Sequence, residues 1–214
     1  MEKQTGLMGM AMRDRVIRDE IHKDIFVPAA HAKIIDTREF QRLRSIQQLS
    51  TCEYVFPAAN HNRFSHSLGA YHLARTLVDS LNDVQPGLVS DDDAELIQLA
   101  ALLHDIGHPP FSHLLESPEV FATYHSHEHW GRVLLESEDT EVGIALLEAL
   151  GRTRRDRLFA LLASATDFPA YGQARTSNEL RKLGVFVSPS GVRSIWLRHD
   201  LANFKARLKA LEAK

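Results

Sequence analysis

Residues 99–108 read Leu-Ala-Ala-Leu-Leu-His-Asp-Ile-Gly-His, an apolar run that ends in three titratable side chains. The Leu and Ala residues are typical of a buried helix. We expect this helix to begin near Asp91–Asp93, where negative charge favours a helix N-terminus, and to end at His108, before a Pro-Pro pair. His104 and His108 would then project from one helical face, with Asp105 beside them. Titratable groups at the end of a buried helix require partners or a role.

An imidazole nitrogen of His104 and a carboxylate oxygen of the adjacent Asp105 can converge on one metal ion if the last turn of the helix points at it. The mixed nitrogen and oxygen donor set suits Mn, Fe, Zn, Ni or Mg. A further candidate ligand, His66, lies in Asn62-Arg63-Phe64-Ser65-His66, at a second predicted helix start. An isolated His-Asp pair is more often a hydrogen-bonded surface couple. Here more histidines follow, at positions 108, 113, 125, 127 and 129, so the sequence favours a divalent-metal site.

Apolar residues at helical spacing occur on both sides of this stretch, whereas alternating strand patterns are almost absent. We predict helices within 28–49, from Ser65 onward, from 91 to 108, and at about 128–137, 140–150 and 154–164. A short β-hairpin is predicted within 16–27, which is rich in β-branched residues. The predicted fold class is all-α, with one N-terminal hairpin and a small helical appendage at the C-terminal end.

The 214 residues carry a formal net charge of −3 and include one cysteine, Cys52. This length fits one domain and a small appendage. A lone cysteine cannot form an internal disulfide, which is typical of a reducing compartment. Apolar runs are far shorter than the roughly 20 residues needed to cross a bilayer, and the N-terminus lacks a signal-peptide pattern. We therefore expect a cytoplasmic protein without membrane contact.

Charge and histidine content both change near residue 166. Residues 1–166 carry 16 Lys and Arg against 24 Asp and Glu, whereas residues 167–214 carry 9 against 4. Eleven of the twelve histidines lie between His22 and His129. A shift of both properties at one place suggests two segments of different origin, and we divide the chain into 1–166 and 167–214.

Six blocks of the first segment form an ordered set. They are Ile34-Ile35-Asp36-Thr37-Arg38-Glu39-Phe40-Gln41-Arg42-Leu43-Arg44, Tyr54-Val55-Phe56-Pro57, His61-Asn62-Arg63-Phe64-Ser65-His66-Ser67-Leu68-Gly69, His104-Asp105-Ile106-Gly107-His108, Pro110-Phe111-Ser112-His113 and His127-Glu128. In this order, residues 15–165 resemble HD-domain phosphohydrolases of the deoxynucleoside triphosphate triphosphohydrolase branch. The resemblance implies an HD-domain helical bundle, a divalent metal cofactor, and hydrolysis of deoxynucleoside triphosphates to deoxynucleoside and triphosphate. Members of that family commonly assemble, so a homo-oligomer is also implied.

The resemblance assigns metal ligands: His66, His104 and Asp105 match those of the family. The family completes its site with an aspartate far downstream, in a motif like Asp-x-Asp-x-x-Asp-Tyr that this chain lacks. Residues 158–164 are similar to the helix that leads into that motif, and Asp167 is the candidate replacement. We therefore expect a C-terminally truncated domain with impaired activity. The alternatives are a non-catalytic nucleotide-binding protein and a DNA-binding fragment.

The resemblance also assigns residues that handle the substrate. His127 matches the acid that protonates the leaving oxygen, and Glu116 falls where the family has an acidic residue that orients this histidine. The remaining matches are Arg63, His108 and His113 at the phosphates and Gln48 with Leu49 at the sugar. Arg63 and His108 are also expected to act in catalysis. A guanidinium suits polyphosphate, and histidines in general transfer protons near neutral pH. Five histidines match no such position and are expected to be structural or solvated: His22, His31, His61, His72 and His199.

The second segment has a predicted helix at Ser177–Leu183, closed by Gly184, and a second helix with Arg193 and Arg198. This arrangement is typical of a recognition helix, and residues 168–214 resemble the helix-turn-helix region of insertion-sequence transposases. An insertion element that entered a gene for an HD hydrolase would produce such a fusion. DNA binding by this segment alone is not expected, because its small net charge permits limited phosphate contact.

Overall fold

A computed structural model describes residues 13–111, 115, 116, 120, 121, 123 and 125–165. Two antiparallel strands, β1 (Arg15–Asp19) and β2 (Lys23–Val27), open the described part of the chain. Arg15 pairs with Val27, and Asp19 pairs with Lys23 across the turn. The predicted N-terminal hairpin is therefore confirmed.

Helices dominate the remaining described residues, which confirms the predicted all-α class. They are α1 (Ala29–Ile35), α2 (Arg38–Gln41), α3 (Arg63–Val84), α4 (Asp91–Leu103), α5 (His127–Glu136) and α6 (Glu141–Ala165), with 3₁₀ turns at Arg42–Ser45 and Cys52–Tyr54. Gly151 has a φ of 69° and breaks α6, so the two helices predicted on either side of it are in line with the structure.

Side-chain caps explain where three of the helices begin. Asn62 accepts a hydrogen bond from the backbone N–H of Ser65, and α3 therefore starts two residues before the predicted Ser65. Ser90 accepts in the same way from Asp93 at the start of α4. Ser126 caps α5. Each cap satisfies an N–H group that has no partner within the helix.

Helix α4 ends at Leu103, earlier than the predicted end at His108. Residues 104–108 instead form a tight turn, in which the N–H of Ile106 donates to the carbonyl of Leu103 and that of His108 to the carbonyl of Asp105. The prediction that His104 and His108 share one helical face is therefore wrong. Contacts from distant parts of the chain hold this turn, and local periodicity does not reveal them.

The core lies where α4 packs against α3 and α6. The leucines of the apolar run are fully buried there, as the sequence predicts, and each contributes roughly 1.5–3 kcal/mol through burial. The largest buried side chains around them are Ile25, Ile34, Ile35, Phe40, Leu43, Tyr71, Ile106 and Leu135. The polar turn after α4 is therefore attached directly to the core, and Asp105, Ile106 and His108 within it are buried.

Two predictions fall beyond this description. The division after residue 166 and the helices predicted within 167–214 lie outside the described residues. No helix in the part of the chain that is described is long and apolar enough to span a membrane.

Candidate metal centre

Three backbone elements meet at the end of α4. The first turn of α3 provides Arg63 and His66, and the turn after α4 provides His104 and Asp105. The start of α5 brings His127 to the same place. Because two of these elements begin at side-chain caps and the third ends a buried helix, the positions of the side chains are set by rigid parts of the fold.

His66, His104 and Asp105, here called the metal triad, have ligand atoms that face one another. Nε2 of His66 lies 3.2 Å from Nε2 of His104 and 3.7 Å from Oδ2 of Asp105. Nε2 of His104 lies 3.2 Å from Oδ1 of Asp105. Protein ligand atoms lie about 2.0–2.2 Å from ions such as Zn²⁺. Two ligand atoms on one ion are therefore separated from each other by distances similar to the three measured in the triad. The donor set and its geometry therefore fit a divalent cation.

The ring of His104 is oriented for metal binding by a backbone contact. Its Nδ1 lies 2.8 Å from the carbonyl oxygen of Ala101. A carbonyl can only accept a hydrogen bond, so Nδ1 carries the proton and Nε2 presents its lone pair. This arrangement is common around metal-ligating histidines, because the outer hydrogen bond fixes the tautomer.

The charge at the triad is set by a buried ion pair. Nη1 of Arg63 lies 2.5 Å from Oδ2 of Asp105, and both side chains are buried. Burial by itself would raise the pKa of Asp105, but the hydrogen bond with His108 and the charges of His104 and Arg63 hold it far below its usual range. Burial lowers the pKa of His66. Both groups are thus kept in the forms that bind metal ions, carboxylate and neutral imidazole.

A second group of side chains adjoins the triad through Asp105. Nε2 of His108 lies 3.4 Å from Oδ1 of Asp105, and its ring stacks on that of His127 with centroids 3.7 Å apart. Burial is the main cause that lowers the pKa of His108 to about 4. Glu116 accepts from Nδ1 of His127 at 3.1 Å and lies 3.4 Å from Nδ1 of His108. Nε2 of His127 lies 3.3 Å from Oε1 of Glu128, so each ring nitrogen of His127 faces a carboxylate.

A glycine permits this stacking. A Cβ atom at Gly107 would lie 2.0 Å from the carbonyl oxygen of His127 and 2.2 Å from the backbone nitrogen of Gly131. These are backbone atoms, so no side-chain movement could relieve the contact. The backbone of α5 therefore rests directly on the turn after α4, which brings His127 against His108.

The other predicted site residues are farther from this group or outside the description. Gln48 donates its backbone N–H to the carbonyl of His61, and Leu49 is exposed in the segment before α3. No described contact joins either residue to the metal triad. His113 and Asp167 lie outside the described residues.

Arg42 also contacts the candidate metal centre, a role that the sequence does not predict. Its side chain donates to the carbonyls of Ile106 and His108, in the turn that carries Asp105. The available signal was an arginine between Phe40 and Leu43, on a face that the apolar pattern assigns to the core.

A cavity of about 480 Å³ opens beside the triad, between α4, α5 and α6. Leu103, Phe159 and Leu162 contribute apolar surface, whereas His104 and His127 line its polar side. This volume is typical of sites for small molecules.

Comparison with known proteins supplies the family. Residues 63–180 match the HD domain family. The chain is 50% identical over 103 residues to human deoxynucleoside triphosphate triphosphohydrolase SAMHD1, a match that covers 48% of this chain and 16% of that protein. It is 43% identical over 104 residues to the SAMHD1 homolog of Dictyostelium discoideum, covering 48% of this chain and 20% of the relative. An uncharacterized protein of Methanocaldococcus jannaschii, MJ1154, is 48% identical over 118 residues, or 55% of this chain and 23% of that protein.

The chain thus spans less than a quarter of the length of these three relatives in the matched regions. The family match nevertheless extends over more than half of the chain and includes the metal triad, Arg63 and His127. On this basis the protein belongs to the HD domain family.

Proposed function

We propose that this protein is a metal-dependent phosphohydrolase that cleaves deoxynucleoside triphosphates into deoxynucleoside and triphosphate. The observation that carries the proposal is the convergence of His66, His104 and Asp105 on one point, beside a cavity of small-molecule size. The human and D. discoideum relatives, which are named for this activity, support the choice of substrate.

The metal triad would hold a divalent ion, whose identity among Mn, Fe, Zn, Ni and Mg is open. Such an ion would supply Lewis-acid polarisation of a phosphoryl oxygen. Arg63 keeps Asp105 ionised and oriented through their buried ion pair. Arg63 is also the proposed phosphate contact, because a guanidinium is permanently charged and its planar donor groups match the oxygens of a phosphate.

His127 is the proposed acid. Water adds to the α-phosphorus as the bond from phosphorus to the deoxynucleoside oxygen breaks, and a proton from Nε2 of His127 neutralises the oxygen that leaves. The proton lost by the attacking water passes to solvent, from which His127 is reprotonated. Glu116 accepts the hydrogen bond from Nδ1 and holds the ring in this orientation. His108 stacks on the ring and limits its rotation. This arrangement is a histidine general acid oriented by a carboxylate.

The test is a product analysis with purified full-length protein. Metal-free protein is titrated with Mn²⁺, and each deoxynucleoside triphosphate is incubated with it and separated by chromatography. We expect deoxynucleoside and triphosphate in equal amounts, abolished by Asp105→Ala. His72→Ala is the matched control, since His72 lies on α3 outside the site. Bound metal without turnover would favour the alternative, a non-catalytic nucleotide-binding protein.

We also propose, from the sequence alone, that residues 167–214 form a separate transposase-like segment, although the HD family match runs on to residue 180. A salt-dependent titration with duplex DNA tests the expectation that this segment does not bind DNA by itself. The homo-oligomer is likewise a prediction, and sedimentation of the full chain measures it.

A further inference from the structure

Arg42 connects two distant parts of the chain. It begins the 3₁₀ turn after α2, and its guanidinium reaches the turn that follows α4. Nη1 donates to the carbonyl oxygen of His108 at 2.8 Å, and Nη2 donates to that of Ile106 at 2.6 Å. The two carbonyls flank Gly107, so the guanidinium holds the backbone on both sides of the glycine.

These carbonyls need a partner from outside the helix. Beyond the end of α4 the backbone no longer forms regular helical hydrogen bonds, and its acceptors must be satisfied by other groups. A guanidinium that donates two N–H groups in parallel fixes orientation as well as position. The α5 backbone also lies directly against Gly107, so the turn is in contact with both Arg42 and α5.

We propose that Arg42 is a positioning residue for the metal centre, and this inference rests on the proposed function. By holding the carbonyls of Ile106 and His108, it sets the direction in which Asp105 faces His66. Among the described residues, the Arg42 side chain donates its hydrogen bonds to backbone carbonyls and not to a ligand side chain. Its effect on the metal is therefore exerted through the turn.

The segment that carries Arg42 has its own anchors. Glu39 accepts from the backbone N–H of Val142 at 3.2 Å, and the N–H of Arg38 donates to Glu141 at 2.8 Å. Phe40 and other neighbours are fully buried. Loss of the Arg42 side chain should therefore leave this segment in place and release the turn alone.

The experiment compares Arg42→Gln and Arg42→Lys with the control Arg38→Gln, whose side chain is mostly exposed. In metal-free protein, hydrogen exchange of the Ile106 and His108 amides, read by NMR, should become about tenfold faster in Arg42→Gln. Affinity for Co²⁺ should fall about 10- to 100-fold, as for other residues that orient metal ligands, and the visible spectrum of bound Co²⁺ should change.

Arg42→Lys should give intermediate values, because an ammonium can meet one carbonyl but lacks the planar fork that meets two. Arg38→Gln should match the unmodified protein in all three measurements. If Arg42→Gln fails to fold, as judged by circular dichroism, Arg42→Lys carries the test. Amide exchange in that variant equal to the unmodified protein would then overturn the inference.

The outcomes separate this inference from the proposed function. Faster exchange and weaker Co²⁺ binding in Arg42→Gln, in a protein that does not hydrolyse deoxynucleoside triphosphates, would support the positioning role and reject the activity. Hydrolysis by the unmodified protein, with unchanged exchange in a folded Arg42→Gln variant, would support the activity and reject the positioning role. The exchange measurement needs no metal, so it tests whether Arg42 holds the turn independently of the Co²⁺ titration, which tests the effect on the metal centre.

Discussion

The cluster of His31, Tyr71 and Glu95 and the metal triad both combine imidazole with carboxylate groups, yet they differ in how hydrogen-bond donors and acceptors are paired. Nδ1 of His31 lies 2.8 Å from the hydroxyl of Tyr71, and Nε2 lies 3.0 Å from Oε1 of Glu95. An ionised carboxylate can only accept, so Nε2–H donates to Glu95 and Nδ1 accepts from the hydroxyl. Burial raises the pKa of Tyr71 to about 12, which keeps this hydroxyl protonated. Every polar atom of the imidazole is satisfied by protein.

In the metal triad two acceptors, Nε2 of His104 and Oδ1 of Asp105, face each other at 3.2 Å. Nδ1–H of His104 is used by the Ala101 carbonyl, so its Nε2 lone pair faces Asp105 and His66. Lone pairs that meet in this way repel unless a proton or a cation lies between them. A buried histidine beside an acid therefore does not by itself mark a metal site. The distinction lies in whether donors match acceptors or acceptors converge.

The largest expected effect separates the two clusters by metal affinity. Changes to residues that only orient ligands cost about 10- to 100-fold, so loss of a ligand in His104→Ala should weaken Co²⁺ binding by about 10³-fold. His31→Ala should leave the affinity unchanged, because its ring nitrogens are already used by Tyr71 and Glu95. Equilibrium dialysis followed by elemental analysis measures both. Equal losses in the two variants would contradict the comparison.

Stability should change in the opposite order. The His31 side chain is 4% exposed, and its truncation leaves a cavity and breaks two buried hydrogen bonds, for an expected loss of about 2–4 kcal/mol in the free energy of unfolding. The His104 side chain is 37% exposed, so His104→Ala should cost less than about 1 kcal/mol in metal-free protein. Urea unfolding followed by circular dichroism gives both values. A larger loss for His104→Ala would mean that the triad is itself a structural element.

The smallest effect concerns pH. Burial is the main cause that lowers the pKa of His31, against the opposing influence of Glu95. Below the unfolded-state pKa of about 6.5, the unfolded chain binds a proton that folded His31 does not. The stabilisation is therefore complete above that pH and declines as the pH falls towards the lowered pKa, by at most about 1.4 kcal/mol per pH unit.

Replacement by a residue that does not titrate isolates this contribution. The free energies of unfolding of the unmodified protein and His31→Gln should converge as the pH falls from 7.5 to 5. His66 and His108, whose pKa values are also lowered, are present in both proteins and cancel in the difference. Parallel curves would show that His31 is not held neutral by the fold.

The sequence predicted the parts of the fold that depend on local pattern. The apolar run of α4 identified the centre of the core, and the aspartates before it identified the start of that helix. The predicted end of α4 was wrong. The turn after Leu103 is in contact with Arg42, more than 60 residues earlier, and with α5, about 20 residues later. Periodicity describes one segment at a time and does not include such contacts.

The site shows the same division. Spacing and residue type were enough to propose His104 and Asp105 as ligands of one ion, and the structure brings their ligand atoms together with that of His66. The expectation that His31 has a hydrogen-bonded structural role agrees with its contacts. Arg42 and Gly107 stand within the quoted sequence blocks, but their roles were not predicted because both act on backbone atoms of other segments.

The contact at Gly107 also has a mechanical consequence. Where two backbone segments are in contact without a side chain between them, no flexible side chain can adjust when one segment moves. The first turn of α5 and the loop with Asp105 must therefore shift together. One edge of the cavity of about 480 Å³ is formed by Gly131 and Arg132 of that helix. A compound that binds in the cavity and displaces α5 would thus change the positions of the metal ligands without contacting the ion.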